Sequence, residues 1–154
     1  MAERPLGRAK KLPSFTIRNN MAQLTTELLA SLLRSRMDLI DPSIEIVTGR
    51  VPDMPDRVVT VVRGSGSGST MGGVFEKVDY TLECRGQGSD LGDAEKVANT
   101  VDDIIMDYFN SIMYEGVYIL VADRTGGGPQ QLKINDPQSR YSFACTYSIE
   151  SGMD

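Results

Sequence analysis

The sequence contains no histidine, and this absence removes several kinds of chemistry at once. Histidine is the commonest general base, the commonest metal ligand and the usual partner of a catalytic serine or cysteine. The two cysteines, Cys84 and Cys145, are too few to make a zinc site, which usually takes about four ligands. We therefore predict that the protein is not an enzyme, with no catalytic residue, no metal site and no cofactor.

Long hydrophobic runs are also missing from the chain. No stretch approaches the roughly 20 apolar residues of a membrane helix, and no apolar run follows the basic N-terminus as it would in a secretory signal. Both cysteines fall at inward-facing positions of predicted strands. We interpret them as buried free thiols in a reducing cytosol, with a disulfide across adjacent strands as the alternative.

Positive charge is scarce outside the N-terminus. The formal net charge of the 154 residues is -5, which argues against a protein that binds nucleic acid through phosphate contacts. Arginine and lysine are nevertheless concentrated in residues 1–18, where no hydrophobic period is found. We predict that residues 1–18 form a basic flexible arm, and that residues 19–154 form a single domain. Contact of the arm with a neighbouring subunit or with passing nucleic acid is the alternative to a loosely docked terminus.

Hydrophobic periodicity predicts elements in the order α-β-β-β-α-β-β. The first helix is expected over 20–37, with Asn20 as N-cap. The second is expected over 91–113, with Asp90 as N-cap, Asp93 near the positive end of the helix dipole and Gly116 after its end. The strands are expected over 44–49, 55–63, 78–85, 117–122 and 141–150. Short connections favour antiparallel pairing, and each helix has one apolar stripe. We therefore expect an α+β fold, a two-layer sandwich of a mostly antiparallel sheet with both helices packed on one face.

A glycine-serine segment over 64–73 interrupts the predicted hairpin between the second and third strands. Its composition predicts an irregular loop, and it is longer than the two to five residues that a tight hairpin needs. The extra length costs only about 1 kcal/mol of closure entropy, so it is tolerable without a function. Its length still suggests that the tip contacts something outside the domain. A phosphate-binding loop is disfavoured, because the lysine and the following helix start are both missing.

Acidic residues on the second predicted helix raise the possibility of acid–base chemistry or cation binding. Asp102, Asp103 and Asp107 lie close together in sequence, and we place them opposite the apolar stripe. We interpret them as a solvated helical face. The late loop offers a weaker version of the same cluster in Asp123, Arg124 and Asp136.

Three short motifs give the chain a resemblance to a known family. They are Pro55-Asp56-Arg57-Val58-Val59, Leu82-Glu83-Cys84-Arg85-Gly86 and Ser139-Arg140-Tyr141-Ser142-Phe143. Together with the order of elements over about residues 20–150, they resemble the tail terminator proteins of long-tailed bacteriophages, a group also labelled minor capsid or tail completion proteins.

The resemblance implies a structural virion protein that forms a six-membered homo-oligomeric ring. Such a ring caps the tail tube, stops its growth and provides the surface for head joining. The implied partners are the tail tube protein and the head-tail connector, with DNA only passing through the lumen and no membrane. The implied location is the tail or neck of the virion, after assembly in the host cytoplasm. The candidate assembly contacts are Arg57, Arg63, Gly64, Ser67, Gly68, Met71, Arg85 and Arg140.

Two other functions stay open at the level of sequence. Another phage neck or head-completion protein would also form a ring, but it would contact the portal side. A small nucleotide- or metal-binding α+β protein would have only the glycine segment and the aspartate cluster in its favour.

Overall fold

A computed structural model of the chain describes residues 24–70, 75–133 and 136–153. Within these ranges the chain forms two helices, which are α1 (Thr26–Ile40) and α2 (Leu91–Tyr108). The strands are β1 (Glu45–Thr48), β2 (Val58–Thr70), β3 (Phe75–Arg85), β4 (Asn110–Tyr114), β5 (Val117–Arg124), β6 (Gln130–Gln131) and β7 (Ser142–Met153).

The strands join in one sheet with the order β1-β2-β3-β7-β5-β4, and β6 pairs with β7 beside this path. Among the strands that the structure describes, only β1 and β2 run parallel; the other pairs are antiparallel. The predicted α+β class and the mostly antiparallel sheet are therefore confirmed. The predicted order omitted β4 and β6, and the two-layer sandwich is not confirmed, because the sheet curls into a half-barrel.

Helix α1 lies between the two ends of the curled sheet. On one side Arg34 donates to the carbonyl oxygen of Ile46 in β1 at 2.8 Å. On the other side Ser31 and Tyr114, in β4, share a hydrogen bond of 2.7 Å. The buried leucines of α1 thus enter the same core as α2 and the inner face of the strands.

The alternating pattern of the two central strands is confirmed by the structure. Val78, Tyr80, Leu82 and Cys84 of β3 are buried, as are Phe143, Cys145, Tyr147 and Ile149 of β7. The buried side chains of the two strands lie side by side on the same face of the sheet, since Leu82 pairs with Cys145 and Cys84 with Phe143. Both cysteines are free and buried, as predicted.

The prediction of an irregular loop from Gly64 onward is wrong as far as Thr70. Strand β2 continues to Thr70, which pairs with Phe75, and residues 71–74 lie outside the described ranges. Glycine fits here because the backbones approach closely: a Cβ on Gly64 would lie 3.2 Å from the carbonyl oxygen of Asp79. The pairing shifts register between Arg63 and Gly66 and again between Gly66 and Gly68, so the glycines accommodate bulges within a ladder.

The second helix is shorter than predicted, since 91–113 was expected and α2 ends at Tyr108. Its apolar stripe seemed to continue through Ile112, but Ile112 pairs with Ile119 in a hairpin of β4 and β5. The turn consists of Glu115 and Gly116, with φ of 50° and 83°. Positive φ at both central residues is typical of the tight turn that joins two antiparallel strands. Gly116 therefore lies in a turn between two strands and does not mark the end of a helix.

The first helix begins later than predicted. Its N-cap is Thr25, whose hydroxyl accepts a hydrogen bond from the N–H of Leu28 at 3.1 Å. The predicted cap, Asn20, and the predicted arm over 1–18 both lie outside the described ranges. The described helices are too short or too polar to cross a membrane.

Candidate functional site

Residues 53–57, which we call the clamped segment, connect β1 to β2 and are held by two buried arginines. Arg85 donates from Nε to the carbonyl oxygen of Asp56 at 2.9 Å. Arg140 donates from Nη1 to the carbonyl oxygen of Asp53 at 2.7 Å and to the Asp56 carboxylate at 2.9 Å. Only 3% of Arg85 and 2% of Arg140 is exposed. A buried charge without partners is costly, so the hydrogen bonds of both arginines are expected to be kept. Because their acceptors include backbone carbonyls, these bonds fix the backbone of the clamped segment.

Arg140 is also paired with a carboxylate of its own loop. Its Nε and Nη2 each lie 2.9 Å from an oxygen of Asp136, in the two-pronged geometry that suits a guanidinium. These hydrogen bonds hold the pKa of Asp136 well below its usual range and raise that of Arg140. The pKa of Asp56 is lowered by Arg140 and then by the N–H of Gly88. All three groups are therefore charged at neutral pH.

Arg57 continues the ionic network toward both helices. It donates to Asp41, just beyond α1, at 2.9 Å and to Asp93, in the first turn of α2, at 3.1 Å. It also donates to the hydroxyl of Ser43. The pKa of Asp41 is lowered, first by its hydrogen bonds with Ser43 and then by Arg57. Arg57 thus connects the ends of two helices at the start of β2.

The three motifs that carry the resemblance meet at this network. Asp56 from the first motif accepts from Arg85 of the second and from Arg140 of the third. The second and third motifs are joined again where the N–H of Gly86 donates to the carbonyl oxygen of Tyr141 at 3.1 Å. Residues far apart in sequence therefore form one rigid cluster beside the clamped segment.

A cavity of about 440 Å³ opens next to this cluster. Its wall includes Glu83, Lys133 and both buried arginines, so acidic and basic groups are mixed. Nε and Nη2 of Arg85 and all three nitrogens of the Arg140 guanidinium already donate to carbonyls or carboxylates. In the described part of the chain, no three Cys, Asp or Glu side chains are placed to hold a metal ion.

The other predicted contacts lie elsewhere, along the distal half of β2. Arg63 and Gly64 are exposed, and Gly68 pairs with Lys77. Ser67 belongs to the same strand, and Met71 lies outside the described ranges. The seven candidates that the structure describes thus fall into two groups, one around the clamped segment and one on the hairpin. Their role as contacts with other proteins stays a prediction.

The interpretation of Asp102 as a solvated residue is wrong. Only 6% of Asp102 is exposed, whereas Asp103 and Asp107 are exposed as predicted. Arg124 donates to both of its oxygens, at 2.9 and 2.5 Å, and the hydroxyl of Tyr147 donates to one at 2.7 Å. This bond network ties α2 to β5 and β7.

Burial on its own would raise the pKa of Asp102, but the hydrogen bonds from Arg124 and Tyr147 outweigh it and lower the pKa. The unfolded value for aspartate is about 3.9. A lowered folded-state pKa gives stability that is complete above the unfolded value and is lost as the pH falls through the folded value.

We expect Asp102→Asn to lower the free energy of unfolding by about 2 kcal/mol at pH 7, because the buried donor of Tyr147 and the guanidinium of Arg124 lose a charged acceptor. The difference from the wild type should shrink as the pH falls below the unfolded value of about 3.9. Urea unfolding at several pH values measures both effects. Asp103→Asn, on the neighbouring exposed residue, is the matched control and should change little; equal effects of the two variants would contradict the assignment.

Several residues of the cluster were not singled out from sequence as partners of the arginines. Asp136 precedes Arg140 by four residues, and an acidic and a basic residue at this spacing can pair. Asp93 was identified only for its place near the start of α2, where it also accepts from the N–H of Gln87 at 2.8 Å. No local signal pointed to Tyr147 as a partner of Asp102, since they lie 45 residues apart.

Comparison of the sequence with models of known protein families found no match, and comparison with curated proteins found none either. The function of the cluster has to be inferred from its own geometry and from the motifs that form it.

Proposed function

We propose that the protein is a ring-forming tail terminator of a long-tailed bacteriophage. In this role it caps the tail tube, stops its growth and offers the surface to which the head joins. The observation that carries the proposal is the meeting of the three resemblance motifs in one hydrogen-bonded cluster around Asp56. Pairing of β2 with β3 and of β3 with β7 brings the residues that carry the resemblance to one end of the sheet.

The shape of the sheet supports a role in assembly. Strand β3 pairs with β7 along its whole length, from Phe75 to Arg85. The long hairpin of β2 and β3 is therefore flanked by a third strand in the same sheet. Strand β1 covers β2 only from Val58 to Val61. Beyond that point, among the described residues, the outer edge of β2 has no neighbouring strand.

The exposed edge is modified in a way that limits uncontrolled pairing. Its two register shifts twist the strand, and bulges are a common protection of edge strands against aggregation. The hairpin therefore presents side chains such as Arg63 rather than a flat edge. We propose that this part of the hairpin contacts the tail tube.

The charge of the chain supports a ring that DNA crosses. A lumen that grips phosphate would slow the passage of DNA, whereas a net charge of -5 disfavours such binding. The proposal needs no catalytic step and no cofactor. It places the protein in the tail or neck of the virion.

Phage particles assembled without the protein provide the test. We expect tails that are longer than normal and variable in length, measured by electron microscopy, because nothing stops polymerisation of the tube. The purified wild type added to tubes during assembly should restore a uniform length.

Two outcomes would contradict the proposal in different ways. Normal free tails beside heads that leak DNA would indicate a neck or head-completion protein instead. Failure of the purified protein to bind tube ends, with normal tails in its absence, would exclude a role in the tail.

A further inference from the structure

The clamped segment carries an exposed methionine, Met54. About 65% of Met54 is exposed. Its neighbours are fixed on both sides, since Arg140 bonds to the carbonyl oxygen of Asp53 and Arg85 donates to that of Pro55 at 2.6 Å. Two buried guanidiniums thus hold a rigid backbone that exposes a large apolar side chain. We call residues 53 and 54 the Met54 tip.

A groove with both apolar and polar side chains in its wall lies between α1 and β4. Its volume is about 500 Å³, and its wall includes Leu39, Ile112 and Met113. Leu39, in the last turn of α1, is 78% exposed, and Met113 is 46% exposed. Exposed apolar side chains gathered around one groove are typical of a protein contact. We call this the α1–β4 groove.

The charges beside the tip and the groove are complementary. The side chain of Asp53 is 89% exposed at the tip, and one of its carboxylate oxygens lies 4.0 Å from Nη2 of Arg140 in the same chain. Arg36 lines the groove and its guanidinium lies 4.4 Å from the ring centre of Tyr108. An apolar tip with an acidic neighbour therefore matches a groove that exposes Leu39 and Met113 beside a basic residue.

The two surfaces are different parts of one subunit. The tip belongs to the connection between β1 and β2, at one end of the strand order, and the groove borders β4 at the other end. Helix α1 stands between β1 and β4, because it bonds to both. A contact of such unlike surfaces between copies is heterologous, and it closes into a ring when the rotation permits.

We propose that the Met54 tip of one copy inserts into the α1–β4 groove of the next, with Asp53 against Arg36. This inference rests on the proposed ring and names its contact surfaces. The partner it assigns to the groove is a second copy of this chain.

Mixing two variants tests the contact directly. Met54→Asp has a damaged tip and an intact groove, whereas Leu39→Asp has an intact tip and a damaged groove. We expect each variant alone to be monomeric, with self-association weakened about tenfold or more, as at a central apolar contact. Because one intact contact remains possible, the mixture should form a one-to-one dimer and nothing larger, measured by light scattering after size exclusion.

Charge reversal gives a second arm of the test. Asp53→Arg or Arg36→Glu alone should weaken association, and both substitutions in one chain should restore it. Met106→Asp, on the exposed face of α2 and outside the groove, is the matched control and should leave the oligomer unchanged. Thermal unfolding of each variant shows whether it is folded.

A monomeric wild type at high concentration would overturn the contact, and so would Met54→Asp and Leu39→Asp variants that still assemble. A folded, monomeric Met54→Asp variant that still gives tails of normal length would leave the contact standing and contradict the proposed function. Rings that persist in both variants, with normal tail termination, would contradict the contact and leave the proposed function standing.

Discussion

Replacing Arg140 with methionine should lower the free energy of unfolding by about 3 kcal/mol. Removing one partner of a buried ion pair usually costs about 3–5 kcal/mol. The lower end applies because the side chains of Asp136 and Asp56 are 18% and 29% exposed and can be partly hydrated. For a chain of 154 residues, this corresponds to a fall of about 6–12 °C in Tm.

The loss should be greatest at the clamped segment. Without Arg140, the carbonyl oxygen of Asp53 loses the donor at 2.7 Å and the Asp56 carboxylate loses the one at 2.9 Å. We therefore expect the amides of residues 53–57 to exchange with solvent faster than those of β3. Hydrogen exchange measured on the folded variant separates this local loosening from global unfolding.

Two further variants make the result specific. Arg140→Lys keeps the charge but has no planar fork, so it should recover less than half of the loss. Arg63→Met removes an exposed arginine of β2 and should change the stability by less than about 0.5 kcal/mol. If Arg140→Met were as mild as Arg63→Met, Arg140 would not be holding the segment.

The elements that the sequence predicted well are those whose pattern is fixed by burial alone. Strands β3 and β7 each pack one face on the core and alternate over 78–84 and 142–150, so their period identifies both the strand and its buried face. The same holds for the first turns of α2, where Asp90 caps the helix as predicted and its carboxylate accepts from the N–H of Asp93 at 3.1 Å.

The failures occur where pairing between distant segments decides the structure. Glycine and serine favour turns locally, yet residues 64–70 form a strand because β3 supplies a ladder. Ile112 fits the stripe of a helix, but pairing with Ile119 places it in a hairpin. In both cases pairing with another strand overrides the local preference. Sequence periodicity does not show which distant segment will pair with a strand.

The sequence predicted only part of the candidate site, and the reason is again that distant segments come together in the fold. The motifs around Asp56, Arg85 and Arg140 could be quoted from the sequence, but nothing local showed that these three side chains share hydrogen bonds. The burial of Asp102 was missed because a helical wheel assigns one inward face. Here the curled sheet places Tyr147 beside the flank of α2.

Gly86→Ala should have an effect as large as that of Arg140→Met, for a steric reason. Gly86 follows β3 and lies against the first turn of α2. A Cβ at this position would be 2.4 Å from the backbone nitrogen of Ala94 and 2.6 Å from its Cα. Real Cβ atoms essentially never approach other heavy atoms this closely, so either the strand end or the helix has to move.

Neither the end of β3 nor the first turn of α2 can move at a small cost in free energy. The N–H of Gly86 is bonded to the carbonyl oxygen of Tyr141, and the N–H of Ala94 is bonded to that of Asp90 in the first helical turn. Overpacking of a core costs about 1–3 kcal/mol when side chains can adapt. Here the obstacle is backbone, and we expect about 3 kcal/mol or more, seen as a large fall in Tm or as insoluble protein.

Gly127→Ala is the matched control, because a Cβ there would meet nothing within 4 Å. Gly86 is not among the glycines with positive φ, so alanine can adopt its backbone conformation and any loss reports the contact with α2 alone. If Gly86→Ala unfolded at the wild-type temperature, the close approach of β3 to α2 would be wrong. In that case the geometry that aligns Arg85, the preceding residue, with the clamped segment would have to be revised as well.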